Sequence, residues 1–112
     1  MENECYIYID FTKVSEGVNY YALIGHSFGF LEGFGENWHA AYDCLRSARD
    51  PQEGMLANPL TSSQKYVLKI RGLSSLSKKF PMSAYSILKL FEQANLFHVE
   101  RFGVPLILVE FE

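Results

Sequence analysis

The side chains best placed to do chemistry lie in one run, residues 33–46, GFGENWHAAYDCLR. Written on a helical wheel from residue 38, Trp38, Ala41 and Leu45 fall within about 60° of one another and form an apolar stripe. His39, Tyr42, Asp43 and Arg46 fall within about 100° on a different face. Asp43 points almost directly away from the stripe, so solvent exposure is expected. Phe34 sits in the loop just before, flanked by Gly33 and Gly35, near that same face. Aromatic rings and a carboxylate on a rigid helix and its leading loop have the composition of a protein interface. Such an anion, held between aromatic groups, also has the shape of a phosphate entering a cationic pocket. The plainer alternative is a solvated Asp43 paired with Arg46 at i, i+3, worth a few tenths of a kcal/mol.

Other chemistries fit this run poorly. His39 and Asp43 at i, i+4 could face one metal ion, but two ligands are too few for a site, so no metal is expected. Cys44 lies well over 90° around the wheel from His39, which separates a thiol from its would-be base. It reads as a small buried apolar residue. His26 and His98 have no partners assembled near them in sequence. Gly25, Gly29, Gly33 and Gly35 are followed by no Lys-Ser or Lys-Thr and match no dinucleotide fingerprint. With no acid, base and nucleophile together, the chain reads as a non-enzyme without a cofactor.

These residues need elements to hold them. Asn37 suits a helix N-cap, because its side-chain oxygen can accept a free first-turn N–H. A helix is expected over 38–49, closed by Asp50-Pro51. Residues 4–11 (ECYIYIDF) and 66–72 (YVLKIRG) read as strands, and 104–111 (VPLILVEF) as a near-continuous apolar strand. Apolar groups on both faces of the first and last strands predict a parallel sheet covered on both sides. A helix is expected from about Ser15 and Glu16 to Ser27 or Phe28, weakened by Gly17 and Gly25. Leu73 to Phe80 reads as a short turn or helix stopped by Pro81. The strongest helical signal is 82–101, with Ser83 as N-cap and Gly103 as stop. Its apolar stripe reads Ala84, Ile87, Leu88, Phe91, Ala94 and Phe97 or Leu96. Residues 50–65 predict a long, extended and partly mobile insertion. The order gives an α/β domain spanning 1–112 with a small parallel sheet.

Composition bounds the rest. At 112 residues the chain is one domain by length, long enough to bury about two-thirds of its surface without staples. Apolar residues at 48% exclude wholesale disorder. Ten Lys and Arg against thirteen Asp and Glu leave a charge of −3, which disfavours direct nucleic-acid binding and suits a basic partner. No apolar run approaches a membrane span. The start Met1-Glu2-Asn3-Glu4 lacks the basic region of a signal peptide. Cys5 and Cys44 read as buried free thiols of a reducing, cytoplasmic compartment.

The run Gly33-Phe34-Gly35-Glu36-Asn37 followed by Tyr42-Asp43-Cys44-Leu45 resembles the barstar family of ribonuclease inhibitors. That family shows an aromatic-Gly-Glu-Asn turn and then a helix ending in aromatic-Asp-Cys-Leu. Ile87 to Ala94 resembles its late amphipathic helix, which is followed by a terminal apolar strand. The resemblance implies a barstar-like α/β fold, a small three-stranded parallel sheet packed with helices. It implies an intracellular inhibitor, an immunity protein, that occludes the active site of a basic microbial ribonuclease or related nuclease toxin. Such a complex is one-to-one, with a monomer when free. The implied partner-binding residues are Phe34, Gly35, Asn37, His39, Tyr42, Asp43, Arg46 and Gln93. Asp43 would take the place of a substrate phosphate and meet catalytic Arg, Lys and His groups. Phe34 would stack on the enzyme's wall, Tyr42 would pack at the edge, and Asn37 would shape the loop. The chain departs from the family pattern at four places. His39 stands where the binding helix carries another acid, and Gln93 where the late helix makes an acidic contact. Ala48 or a neighbour replaces a Trp, and Arg46 adds a positive charge. The alternative is an interaction module of the same fold with a non-ribonuclease partner.

Overall fold

A computed structural model describes residues 4–12, 19–31, 33–50, 52, 55, 56, 60, 61 and 64–112. Its elements run β1 (Glu4–Asp10), α1 (Tyr20–Phe28), α2 (Trp38–Arg46), β2 (Lys65–Arg71), α3 (Leu73–Lys79), α4 (Pro81–Phe102) and β3 (Ile107–Phe111). The three strands form one parallel sheet in the order β1-β2-β3. This is the expected α/β architecture.

One face of the sheet makes the core. Ile7 and Ile9 of β1, Tyr66, Leu68 and Ile70 of β2, and Ile107 of β3 are buried against Ile24 and Phe28 of α1, Ala41 and Leu45 of α2, and Ile87, Leu90 and Phe91 of α4. Each such aliphatic or aromatic side chain contributes about 1.5–3 kcal/mol by leaving water. The other face is not covered as expected. Tyr6, Tyr8 and Leu108 are 48%, 64% and 45% exposed. The physical reason is that both rings of β1 stay amphipathic and find a cation: Lys69 Nζ lies 5.7 and 5.8 Å from the Tyr6 and Tyr8 ring centres. An open parallel face is unusual.

The helices start and stop where backbone groups can be satisfied. Asn19 caps α1 by accepting from the N–H groups of Tyr21 and Ala22. The expected start near Ser15 lies outside the described residues. Gly29 closes α1 at φ 78° and Gly103 closes α4 at φ 80°, conformations that cost glycine little. The short helix α3 ends at Lys79, before Pro81 as expected, and Pro81 also begins α4, so Ser83 is not that helix's cap. Proline lacks only an N–H that the first turn leaves unpaired, so it fits there. Along α4 the buried stripe is Ala84, Ile87, Leu90, Phe91, Ala94 and His98, while Leu88 and Leu96 face solvent. Helix α2 ends at Arg46 and residues 47–49 form turns before Asp50. Within the long connection, Leu56 bridges Phe30 and the Leu60 N–H donates to the Ala48 carbonyl at 2.7 Å. Both leucines are buried, so the connection is pinned to the core at those points.

Candidate functional site

The loop 33–37 is built to aim α2. Gly33 adopts φ 93° and Glu36 φ 50°, and for Glu36 that left-handed backbone is strained. Asn19 holds it by donating to the Glu36 carbonyl at 3.1 Å. Asn37 then does two things, the first as its position predicts. Its Oδ1 accepts from the Ala40 N–H at 2.9 Å, capping α2, and its Nδ2 donates to the Gly35 carbonyl at 3.0 Å. A Cβ on Gly35 would lie 2.9 Å from that Nδ2, so a side chain there would push the cap away. The strain sits at the root of the helix and is carried by local hydrogen bonds.

On α2 the wheel holds. Ala41, Cys44 and Leu45 are buried and His39 and Arg46 are exposed. Trp38 anchors the helix to α4 by donating from Nε1 to the Ser86 carbonyl at 2.9 Å. Tyr42 is half-buried and stacks on Trp38 at 5.5 Å between ring centres, with an interplanar angle of 16°. His39 meets Trp38 edge-on. The Asp43 side chain keeps 48% of its exposure and pairs with Arg46 at 3.2 Å. Arg46 in turn lies 5.7 Å from the Tyr42 ring and 5.8 Å from the Phe97 ring of α4. The carboxylate is therefore fixed by a cation that two rings hold in place. Burial, followed by the Asp43 charge, pushes the neighbouring Cys44 thiol up to about 11, so it is no nucleophile.

Of the expected set, Phe34 sits apart from this cluster and Gln93 lies beside it on α4. Phe34 turns toward α1: its ring packs edge-on against Phe30 at 5.2 Å, and a Cβ on Gly25 would overlap it. It is half-buried beside α1 rather than displayed beside Tyr42. Only glycine at position 25 leaves room for it. Gln93 is half-buried on α4. Ser86, Gln93 and Phe97 share one side of α4 by their spacing. Trp38 grips the first and Arg46 the last, so Gln93 lies alongside the middle of α2.

The sequence missed the node beneath this face. Arg49, three residues after Arg46, is 6% exposed and His98 is 0% exposed. Arg49 donates to the Gln64 carbonyl at 2.6 Å, to the Pro105 carbonyl at 2.9 Å and to the Val104 carbonyl at 3.2 Å. It also meets His98 Nδ1 at 3.1 Å, while His98 Nε2 lies 2.9 Å from the Leu45 carbonyl. A guanidinium can only donate, so Nδ1 accepts and the proton sits on Nε2, given to Leu45. His98 is neutral in this arrangement. Burial first, then the Arg49 charge, hold its pKa below the ordinary value, against the favourable bond to Leu45. The node ties the end of α2 to α4 and to the segment entering β3. No signal in sequence spacing joins residues 49, 64, 98 and 105.

Among the described residues no three His, Cys, Asp or Glu side chains converge on a metal-sized site, and no helix is long and apolar enough to cross a membrane. The arrangement on α2 can present a fixed charge and rings to a partner. No curated protein matches the chain. The family model described as Barstar (barnase inhibitor) matches residues 5–109, nearly the whole length. With the three-stranded parallel sheet, the capped α2 and its Tyr-Asp-Cys-Leu run in place, the chain belongs to the barstar family.

Proposed function

We propose that this protein inhibits a microbial ribonuclease toxin by seating α2 and the 33–37 loop in the enzyme's active site, with Asp43 in the position of a substrate phosphate. One observation carries the reading: the half-exposed Asp43 carboxylate, on a capped and anchored helix, in a chain of a barnase-inhibitor family. A basic active site attracts an anion, and a charge pair desolvated on docking then resists dissociation. Tyr42, stacked on Trp38, flanks the carboxylate and gives the contact a rigid aromatic border. The reading places the protein in the cytoplasm of the cell it protects, as a monomer bound one-to-one.

The test is RNA cleavage by a barnase-type ribonuclease, and by candidate toxins of the source organism, titrated with this protein and with Asp43→Ala. Stoichiometric inhibition by the first and a large loss in the second is the expected result. Equal inhibition by both would overturn the role of Asp43. A folded chain that inhibits no ribonuclease would overturn the function itself.

A second reading rests on Arg46. Its guanidinium neutralises Asp43 in the free protein, and His39 and Gln93 add no negative charge. A partner presenting a carboxylate beside its cation would fit this mixed face, and that partner need not be a ribonuclease.

A further inference from the structure

A different surface lies at the β3 edge of the sheet. Tyr66 N–H donates to the Leu106 carbonyl at 2.8 Å, and Glu112 N–H donates to the Ile70 carbonyl at 2.9 Å. A parallel ladder uses alternate residues of the strand. Leu108 and Glu110 therefore also face β2, and Ile107, Val109 and Phe111 turn their N–H and C=O groups outward. Asn95 of α4 already serves Ile107, accepting from its N–H at 2.7 Å and donating to its C=O at 2.9 Å. Its side-chain amide does what a residue of a neighbouring strand would do. Val109 and Phe111 have no such outward partner among the described residues.

Beside these open groups runs an apolar groove between β3 and α4, of about 360 Å³, lined by Leu88, Leu96 and Val99 with Val109 and Phe111. Past Leu88 and Phe111 it continues into a hollow of about 500 Å³ beside Tyr85. By the helical wheel this side of α4 lies roughly 140° from the side that meets α2. The charged residues lining the groove, Glu92 and Glu112, are acidic, as is Glu110 on the strand itself. Glu92 is held by Lys89 at 2.9 Å, whereas Glu110 has only a long contact, 3.9 Å, to Lys69 and keeps a side chain 52% exposed.

A second copy of the chain fits this edge badly. An antiparallel pairing that keeps Asn95 in place sets Val109 against Phe111 of the other copy and brings the two Glu110 side chains face to face. Like charges directly opposed destabilise a ladder. Centring the pair on Val109 instead displaces Asn95 from Ile107. A foreign strand that reads apolar, then Lys or Arg, then apolar meets neither obstacle. Its outer side chains enter the groove and its central cation lies opposite Glu110.

We infer that the β3 edge is a strand-addition site for an extended partner segment of apolar–basic–apolar pattern, paired with Val109 and Phe111 and seated in the α4–β3 groove. It is independent of the α2 face, so the two can be tested separately. The probe is a fluorescein-labelled acetyl-Thr-Ile-Lys-Val-Thr amide, titrated with the full chain by fluorescence anisotropy, beside its Ile-Glu-Val counterpart. The lysine peptide is expected to bind with a Kd on the order of 100 µM and about fivefold or more tighter than the glutamate peptide. Val109→Pro removes an outward N–H and leaves the β2 ladder intact, and is expected to weaken binding about tenfold. Leu96→Ser, at a side chain 50% exposed, is expected to weaken it similarly with an unchanged circular dichroism spectrum. Glu110→Lys is expected to reverse the preference between the peptides. No binding of the lysine peptide below about 1 mM, equal binding of both peptides, or unchanged binding by a folded Leu96→Ser would overturn the proposal.

Discussion

Arg46 ends α2 and Arg49 lies three residues on, in the turn that follows, and they live in opposite worlds. Arg46 is exposed, pairs with a carboxylate at 3.2 Å and rests on two aromatic rings. Arg49 is buried, and its hydrogen bonds run to three carbonyls and a neutral imidazole. Water screens the first, so its ion pair adds little to folding. The second lost its water on folding and depends on those acceptors entirely. The same side chain thus serves display in one place and cohesion in the other. A binding face can change its charges at small cost only if cohesion is carried elsewhere.

The largest expected effect breaks the buried side. Arg49→Ala leaves the Gln64, Pro105 and Val104 carbonyls and His98 Nδ1 without their donor at a buried position. The expected loss of unfolding free energy is about 3–5 kcal/mol, read from urea denaturation. A loss under about 1 kcal/mol would mean that water replaces the guanidinium and that the node is not the clamp described. At temperatures where the variant stays folded, its inhibition per folded molecule is expected to be unchanged, because Arg49 does not lie on the outer face.

Asp43→Ala is the mirror experiment. Stability is expected to move by no more than about 0.5 kcal/mol, since only an exposed i, i+3 pair is lost. Affinity for a ribonuclease target is expected to fall by about 2–5 kcal/mol, the usual cost of truncating one partner of a desolvated charge pair, a scale to which the barnase–barstar complex itself contributes. Inhibition titrations and denaturation curves on the same samples separate the two numbers. A variant that lost stability and affinity together would erase the division between the two regions.

The division explains what could be read from sequence. Asn37 as cap, the stripe of Ala41 and Leu45, the exposure of His39 and Arg46, and the stop at Gly103 depend on residues within a turn or two. Spacing alone decides them. Phe34 is harder, because the space that receives it is made by Gly25, nine residues earlier on another helix. Arg49 with His98, and Asn95 with Ile107, join residues brought together only by the finished fold. The sheet's open face escapes because Tyr6 and Tyr8 look apolar by type, whereas their rings lie beside Lys69 and water. Leu88 and Leu96 likewise continue the helical pattern of α4 but lie outside the core. Pattern reports what could be buried; only the neighbours decide what is.

Acid should also act on the buried side first. In the folded state burial and Arg49 hold His98 below its ordinary pKa, whereas the unfolded chain titrates near pH 6.5. The folded state therefore binds fewer protons as pH falls below that value. This contribution to stability is complete above the unfolded pKa and is lost as pH falls toward the folded one, at up to about 1.4 kcal/mol per pH unit. Denaturation midpoints between pH 7.5 and 5 are expected to decline in the wild type. The slope should be shallower in His98→Gln, whose amide can keep the bonds to Arg49 and Leu45 without titrating. Equal slopes would place the sensitivity elsewhere.

The smallest expected effect on folding is the most informative about the partner. Arg46→Ala removes a cation that holds Asp43 and stacks on Tyr42 and Phe97, and stability is expected to fall by only about 0.3–0.5 kcal/mol. Its effect on binding depends on what faces it. Against a basic ribonuclease pocket, Arg46 repels the target and competes for Asp43. Removing it is then expected to speed association severalfold at low salt, with the gain fading as the Debye length shrinks to about 10 Å at 0.1 M. Against a partner that sets a carboxylate over Arg46, the same variant loses a charge-assisted contact and dissociates faster. Stopped-flow association at two salt concentrations therefore distinguishes the two readings by the sign of one change, at a position where misfolding is not at issue.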